Sequence, residues 1–444
     1  MVGGVLGGIG HAADRLRDRH LRLAVTGLRR SGKTVFTTVL AQHLLTGLGM
    51  PFVRAVHEGR YRGARLRDAR GAAFPFRRFL ADLEADPPRW PEATETLTTL
   101  RLEIRFKSAS FLGGYLDPLR RLYLDIVDYP GEWLLDLPLL REDYATFSAR
   151  SWDLALEGPR RAASEAFRDA ATATSADEAA LVRLWRDYLR RCQGELALSL
   201  VQPGRLPMAK EEAPAWGFCP LPPGTPEGAP LASAMRRRFE RYRHDLVEPF
   251  YRDHFSRFDR QAVLVDLFAS LNRGRHHFED TQRALEAVME SFRYGGRGWL
   301  ARLFSPRIDR VLFAASKADH VAANQHPNLK HLLGLMVHPA RRHARFEGIE
   351  EEVMAIASLR STDTVRTEHE GQSLSCVRGR LKAGERETVL FPGEIPPDLP
   401  EPEDWDSGRF RFHEFAPRRL DPSKPGRHVR LDQAIEFLIG DKLA

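Results

Sequence analysis

The sequence predicts an α/β protein in which a mostly parallel sheet is split by a large helical insert and followed by a C-terminal β extension. Three observations carry this prediction. An apolar run at 20–26 leads into Gly27-Leu28-Arg29-Arg30-Ser31-Gly32-Lys33-Thr34 and then into a periodic apolar run over 35–48. Two further apolar runs, 122–127 and 310–315, end in Asp128-Tyr129-Pro130-Gly131 and in Ser316-Lys317-Ala318-Asp319. Between them, residues 136–258 carry helical rather than alternating periodicity.

The first of these is a strand, then G-x-x-x-x-G-K-[ST], then a helix, the order a P-loop requires. Gly27 and Gly32 let the backbone curl so that successive N–H groups converge on one anion. The Lys33 ammonium would reach the β- and γ-phosphates, the Thr34 hydroxyl would ligate Mg²⁺, and the helix N-terminus adds partial positive charge. The phosphate-binding set is therefore Gly27, Arg30, Ser31, Gly32, Lys33, Thr34 and Val35. Arg29 stands where small residues are usual. It either acts as an arginine finger in cis or turns out to solvent or to an acidic neighbour.

Asp128 and Gly131 have the D-x-x-G form of an acid that holds Mg²⁺ through water and a glycine whose N–H meets the γ-phosphate. Asp125, inside the same strand, reads as a satisfied buried acid or an edge position rather than a metal ligand. Glu132 follows the glycine, where a water-orienting residue belongs. Its carboxylate would also repel the γ-phosphate, so turnover should be slow. The catalytic candidates are Lys33, Gly131, Glu132 and Arg29. Thr94 is the candidate for the switch threonine that ligates Mg²⁺, with Thr96, Thr98 and Thr99 as rivals.

Ser316-Lys317-Ala318-Asp319 is close to an N/T-K-x-D pattern. An Asp there accepts from the ring N–H and exocyclic amine of guanine, a donor pair that adenine lacks. The Lys stem covers the face of the base. Ser316 in place of Asn weakens the bracing of this loop. The run 353–360 ends in Ser358-Leu359-Arg360, in position for a backbone N–H to meet the guanine O6. The base-binding set is Ser316, Lys317, Asp319, His320 and Ser358.

Together these residues resemble a translation-factor-type (Ras-like) GTPase core, and more narrowly the YcjX family of P-loop GTPases. The stretch from His20 to Thr34 carries most of the likeness. Asp128-Tyr129-Pro130-Gly131-Glu132-Trp133 and Ser316-Lys317-Ala318-Asp319-His320 support it. So does Arg89-Trp90-Pro91-Glu92-Ala93-Thr94, which is similar to the family's W-P-x-S-T stretch with Ala93 replacing Ser; Trp90 and Thr94 are thus the switch I candidates. The resemblance spans most of the chain. It implies a bacterial cytoplasmic protein that binds GTP and GDP with Mg²⁺, with a helical insert and scope for a membrane-protein partner at the inner membrane.

The expected organisation is a tail at 1–20, the first half of the core at 21–135, the insert at 136–258, and the second half of the core with its extension at 259–444. The region 50–95 reads as a long switch-I-like segment. Within the insert, 178–200 and 235–258 read as helices, and the Pro/Gly-rich stretch 202–230 is long enough to be mobile. After it come a buried strand at 261–267, a helix at 279–292, the strand at 310–315, another helix and the strand at 353–360. Residues 372–392 and 409–416 alternate like added strands. The final run 431–443 is an amphipathic helix whose Leu431, Ala434, Ile435, Leu438 and Ile439 face the core.

The 444 residues are 43% hydrophobic and 29% charged, which suits a folded multi-domain chain and excludes a mostly disordered one. No apolar stretch is long enough to span a membrane. The apolar, Gly-rich MVGGVLGGIG start lacks a basic flank and reads as a loose tail. Three dispersed cysteines and no C-x-x-C argue against a disulfide framework or zinc site. Net charge is +7, but eight lysines stand against 59 arginines. So strong a bias makes runs such as Arg236-Arg237-Arg238 and Arg341-Arg342 solvated helix faces rather than a nucleic-acid footprint. Two of the eight lysines, Lys33 and Lys317, fall in the motifs. Two other function classes stay open: a P-loop ATPase or small-molecule kinase, and a nucleotide-gated binding module with negligible turnover.

Overall fold

The computed structural model describes residues 19–28, 30–69, 71–92, 94, 96–109, 119–173, 177–211, 214–290, 308–338, 349–406, 408–421, 423–424 and 427–444. The N-terminal tail, Arg29, Ala93 and the Arg341-Arg342 pair lie outside them. The chain divides into two units. One comprises Met1–Pro130, Phe258–Asn272 and Arg307–Ala444; the other comprises Gly131–Arg257 and Arg273–Pro306. The stretch after Asn272, expected with the core, thus groups with the insert.

The first unit is built on seven strands: β1 (Arg19–Gly27), β2 (Tyr61–Arg67), β3 (Thr98–Lys107), β4 (Leu119–Asp128), β5 (Arg260–Val265), β6 (Arg310–Ala315) and β7 (Glu350–Ala355), in the order β2-β3-β4-β1-β5-β6-β7. Pairings from β4 through β1, β5 and β6 to β7 are parallel, and β3 is antiparallel to both β2 and β4. Every residue of β5 is buried, as expected of a central parallel strand. The register sets Val25 beside Asp128, Gly27 beside Leu264 and Val265 beside Ala315. The motif-bearing loops therefore leave one edge of the sheet, its carboxyl edge, where open α/β sheets bind ligands.

Helix α1 (Lys33–Thr46) follows the glycine loop and ends on Gly47 in the left-handed conformation. It buries Phe36, Val39, Leu40 and Leu44 in the main core, together with Ile104, Leu124 and Leu264 of the sheet. The C-terminal helix Leu431–Ile439 docks there with the predicted face: Leu431, Ala434, Ile435, Leu438 and Ile439 all belong to this core.

The region 50–95, expected as one long switch segment, holds β2 and a helix at Phe76–Glu84. β2 turns Tyr61, Ala64 and Leu66 to the core but is otherwise rich in charge. Glu103 of β3 is fully buried and accepts from Arg65 at 2.8 Å, Arg67 at 2.7 Å and Arg105 at 2.9 Å. Burial works against that carboxylate's charge, but the three guanidinium groups overcome it and bring its pKa down to about 2. The extension is a three-stranded antiparallel sheet of β8 (Thr362–His369), β9 (Gln372–Arg380) and β10 (Glu387–Leu390). Residues 409–416, expected as strand, make one bridge, Leu381 to Phe415, and otherwise run as an irregular strap.

The second unit is helical, with its longest described helices at Tyr144–Ala155, Glu178–Gln193, Pro230–Tyr242 and Arg275–Glu290. The stretch 202–230, expected to be mobile, is instead packed. Phe218 sits fully buried against Phe147, Phe239 and Tyr242 at 5.1–5.3 Å between ring centroids. The Tyr144 hydroxyl donates to the Cys219 carbonyl at 2.9 Å, and Leu221 N–H donates to Ser148 Oγ at 2.8 Å. Aromatic anchors and backbone hydrogen bonds do what regular structure does elsewhere. All three cysteines are free and buried, and no described helix is long and apolar enough to cross a membrane.

Phe218→Ala is expected to lower the stability of the protein by about 3–5 kcal/mol and to open 202–230 to a protease that leaves the wild type uncut; urea unfolding and limited proteolysis check both. Cleavage of the wild type within 202–230 under native conditions would contradict this packing.

Candidate functional site

The glycine loop begins where β1 meets β5. A Cβ on Gly27 would fall 2.4 Å from the Leu264 carbonyl oxygen and 2.4 Å from Ser31 Oγ, so only glycine fits. Gly32, at φ 87°, caps α1 in the left-handed region. Arg30 also has positive φ, 61°, a strained conformation for a side chain of its kind, and its side chain is exposed. Ser31 is buried, its hydroxyl without a hydrogen-bond partner. Lys33 Nζ donates back to the Gly27 carbonyl at 2.9 Å, across the mouth of the loop. Val35 is half-buried against the core.

Three oxygen-bearing side chains from distant parts of the sequence meet beside this loop. Thr34 Oγ1 and Thr94 Oγ1 lie 3.3 Å apart across 60 residues. Asp128, ending β4, is fully buried, and neither carboxylate oxygen has a hydrogen-bond partner. Burial pushes its pKa up to about 6, against the pull of Lys33 and of the Thr94 hydroxyl. A buried carboxylate with no partner at full hydrogen-bond geometry, beside Lys33 and the Thr94 hydroxyl, suits a hard divalent cation. Of the rival threonines, Thr98 is buried opposite Asp128 on β3 with its hydroxyl unpartnered, Thr99 is buried opposite Val127, and Thr96 is exposed. Asp125 is held by Arg101 through two contacts of 2.6 Å.

The base-binding candidates sit on the next two strand ends. Ser316 donates from N–H and Oγ to the Val265 carbonyl, at 2.9 and 3.2 Å. Lys317 has φ 59° and donates to Asp266 Oδ2 at 2.5 Å. Burial disfavours its charge, but Asp266 outweighs this and keeps the ammonium above its ordinary pKa. Asp319 is buried, and its Oδ2 accepts from Ser361 N–H at 2.6 Å. Ser358 is half-buried on the loop after β7. The buried ring of His320 packs against Phe268 and Phe415, with centroids at 5.9 and 5.1 Å, and burial lowers its pKa. Trp90 Nε1 donates to the Phe415 carbonyl at 3.0 Å, tying the segment before Thr94 to the irregular strap. Asp266 and Ser361 escaped the sequence reading. The only signal was an acid following the apolar run 262–265 in the first case, and none in the second, whose contact is made by backbone.

Gly131 and Glu132 belong to the second unit, where Glu132 opens the four-residue helix Glu132–Leu135.

A Ras-like sheet with a glycine loop at its carboxyl edge and an N-terminally directed α1 defines a P-loop protein. A model of the YcjX-like family, DUF463, matches residues 21–443. The chain is 44% identical to the Ras-like GTPase YcjX of Escherichia coli (strain K12) over 450 aligned residues, 96% of each chain. It is 40% identical to the Ras-like GTPase YcjX of Shewanella oneidensis over 468 aligned residues, 97% of this chain and 96% of that one. The chain belongs to the YcjX-like family.

With the folded-state pKa of Asp128 raised from 3.8 to about 6, its negative charge opposes folding. The penalty is absent below about pH 4 and grows as pH rises through 6. In nucleotide-free protein, Asp128→Asn is expected to add roughly 3 kcal/mol of stability at about pH 7.5 and nothing near pH 4. Urea midpoints at the two pH values check this; equal midpoints at both would contradict it.

Proposed function

We propose that this protein binds GTP and GDP with Mg²⁺ at the carboxyl edge of its sheet and hydrolyses GTP slowly, as a nucleotide-gated switch for a protein partner. The convergence of Thr34, Thr94 and the unpartnered Asp128 beside Lys33 is the observation that carries this reading. The relatives' name, Ras-like GTPase, supports the class of reaction.

Thr34 and Thr94 would ligate Mg²⁺ and Asp128 would hold it through water. Bound there, Mg²⁺ supplies positive charge against the β- and γ-phosphates. Lys33 would leave the Gly27 carbonyl for the phosphate oxygens, and backbone N–H groups of 30–35 would cradle them. Thr94 links the γ-phosphate end to the segment before it, which makes that segment the natural switch I. Glu132 would orient the attacking water while its charge opposes the γ-phosphate. Gly131 begins the helical unit three residues after Asp128, so a shift in D-x-x-G has a covalent path into the insert. The insert is the proposed surface for the partner, in the cytoplasm or at the membrane face.

For the base, Asp319 is buried and oriented by Ser361 N–H, with one carboxylate oxygen left to accept from guanine. An adenine there would present no matching donor pair. By calorimetry with Mg²⁺, GTP and GDP should bind at least tenfold more tightly than ATP, and Asp319→Ala should abolish that preference. Equal ATP binding would replace this reading with a P-loop ATPase. Glu132→Gln should raise single-turnover GTP hydrolysis by about tenfold, the equivalent of about 1.4 kcal/mol of relieved repulsion; an unchanged or lower rate would remove repulsion as the limit on turnover.

A further inference from the structure

The loop that would cover guanine starts with Ser316 where an Asn would brace it. Three consecutive residues at the end of β5 take up that load. The Leu264 carbonyl oxygen lies 2.4 Å from where a Cβ on Gly27 would sit, so β5 packs directly against the start of the phosphate loop. The Val265 carbonyl accepts both Ser316 hydrogen bonds. Asp266 receives the Lys317 ammonium at 2.5 Å. Asp266 is itself buried and locked: its Oδ1 accepts from Ala269 N–H at 3.2 Å, capping the helix Leu267–Asn272. One carboxylate oxygen thus anchors a helix and the other anchors the lysine.

We propose that Asp266 is a positioning residue for base recognition: its ion pair pins the extended Lys317 stem flat beside the base site and substitutes for the missing Asn brace. It does not touch the nucleotide and acts only through Lys317. The left-handed backbone of Lys317, at φ 59°, strengthens the case. That conformation is disfavoured for Lys and persists where the surroundings hold it, here by the Ser316 bonds on one side and the ammonium on the other. Because the stem covers any purine face, Asp266 governs affinity, while Asp319 governs which base is chosen.

This rests on the guanine-binding reading of the same site, and the experiment separates the two. GDP affinity is measured by calorimetry, with Mg²⁺, for the wild type, Asp266→Asn, Asp266→Glu, Lys317→Met and the double variant Asp266→Asn with Lys317→Met. Asparagine keeps the helix cap and removes the charge. Asp266→Asn and Lys317→Met should each weaken GDP binding about tenfold or more, the double variant should bind no worse than Lys317→Met, and Asp266→Glu should recover most of the loss. The preference for GDP over ADP should stay intact in Asp266→Asn. Should Asp266→Asn alone fail to fold around an unpaired buried ammonium, the double variant is compared with Lys317→Met: equal affinity upholds the proposal. Losses that add in the double variant, or an Asp266→Asn affinity equal to wild type, would overturn it. Failure of the wild type to prefer GDP over ADP would instead overturn the guanine reading beneath it.

Discussion

A carboxylate buried at the end of β4 with no hydrogen bond must be answered by positive charge, and the site is arranged around that requirement. Asp128 faces Lys33 and Thr94, and burial lifts its pKa to about 6, so near neutral pH it carries its charge at a cost to the fold. Such an acid weakens the empty protein and strengthens the loaded one. The stability it costs is a sign of a group kept for binding rather than for folding. Thr34 reaches the same point from the first turn of α1, and Thr94 reaches it from a segment that has crossed β2 and a helix to get there.

The parallel sheet makes this possible. Its register brings Gly27, Asp128, Val265 and Ala315 to one edge, so four strand ends present their loops together. β5 is the mechanical centre of that edge: fully buried along its length, it meets the glycine loop at Leu264, Ser316 at Val265 and, one residue past its end, Lys317 at Asp266. The irregular strap 409–416 adds a second tie, joining Trp90, before Thr94, to His320, after Asp319, through Phe415. Short-range covalent motifs and long-range packing thus converge on the same few side chains.

What the sequence disclosed follows from this division. The glycine loop, the D-x-x-G acid and the lysine of the base loop are local patterns whose chemistry fixes their spacing, and the apolar β5 and C-terminal helix advertise their burial. β2 was hidden because its apolar face is thin, only Tyr61, Ala64 and Leu66 against the core, while Arg65 and Arg67 pair with the buried Glu103 of the next strand. The stretch 202–230 read as loop because its Pro and Gly content forbids regular structure, while its order comes from Phe218 and backbone bonds to residues far along the chain. Asp266 and Ser361 act on partners 51 and 42 residues away, and no short window contains both ends of either contact. His320 carries the base motif's spacing, and two aromatic rings pack against it.

Thr34, Thr94 and Asp128 are proposed to form one Mg²⁺-dependent γ-phosphate site. The most direct measurement is the affinity for a non-hydrolysable GTP analogue and for GDP, with Mg²⁺ and with chelator, in the wild type and in Thr94→Ala. The predicted result is that Mg²⁺ tightens the analogue at least tenfold in the wild type and that Thr94→Ala loses most of this gain while its GDP affinity is nearly unchanged. Analogue binding that ignores Mg²⁺, or a Thr94→Ala protein indistinguishable from wild type, would contradict it.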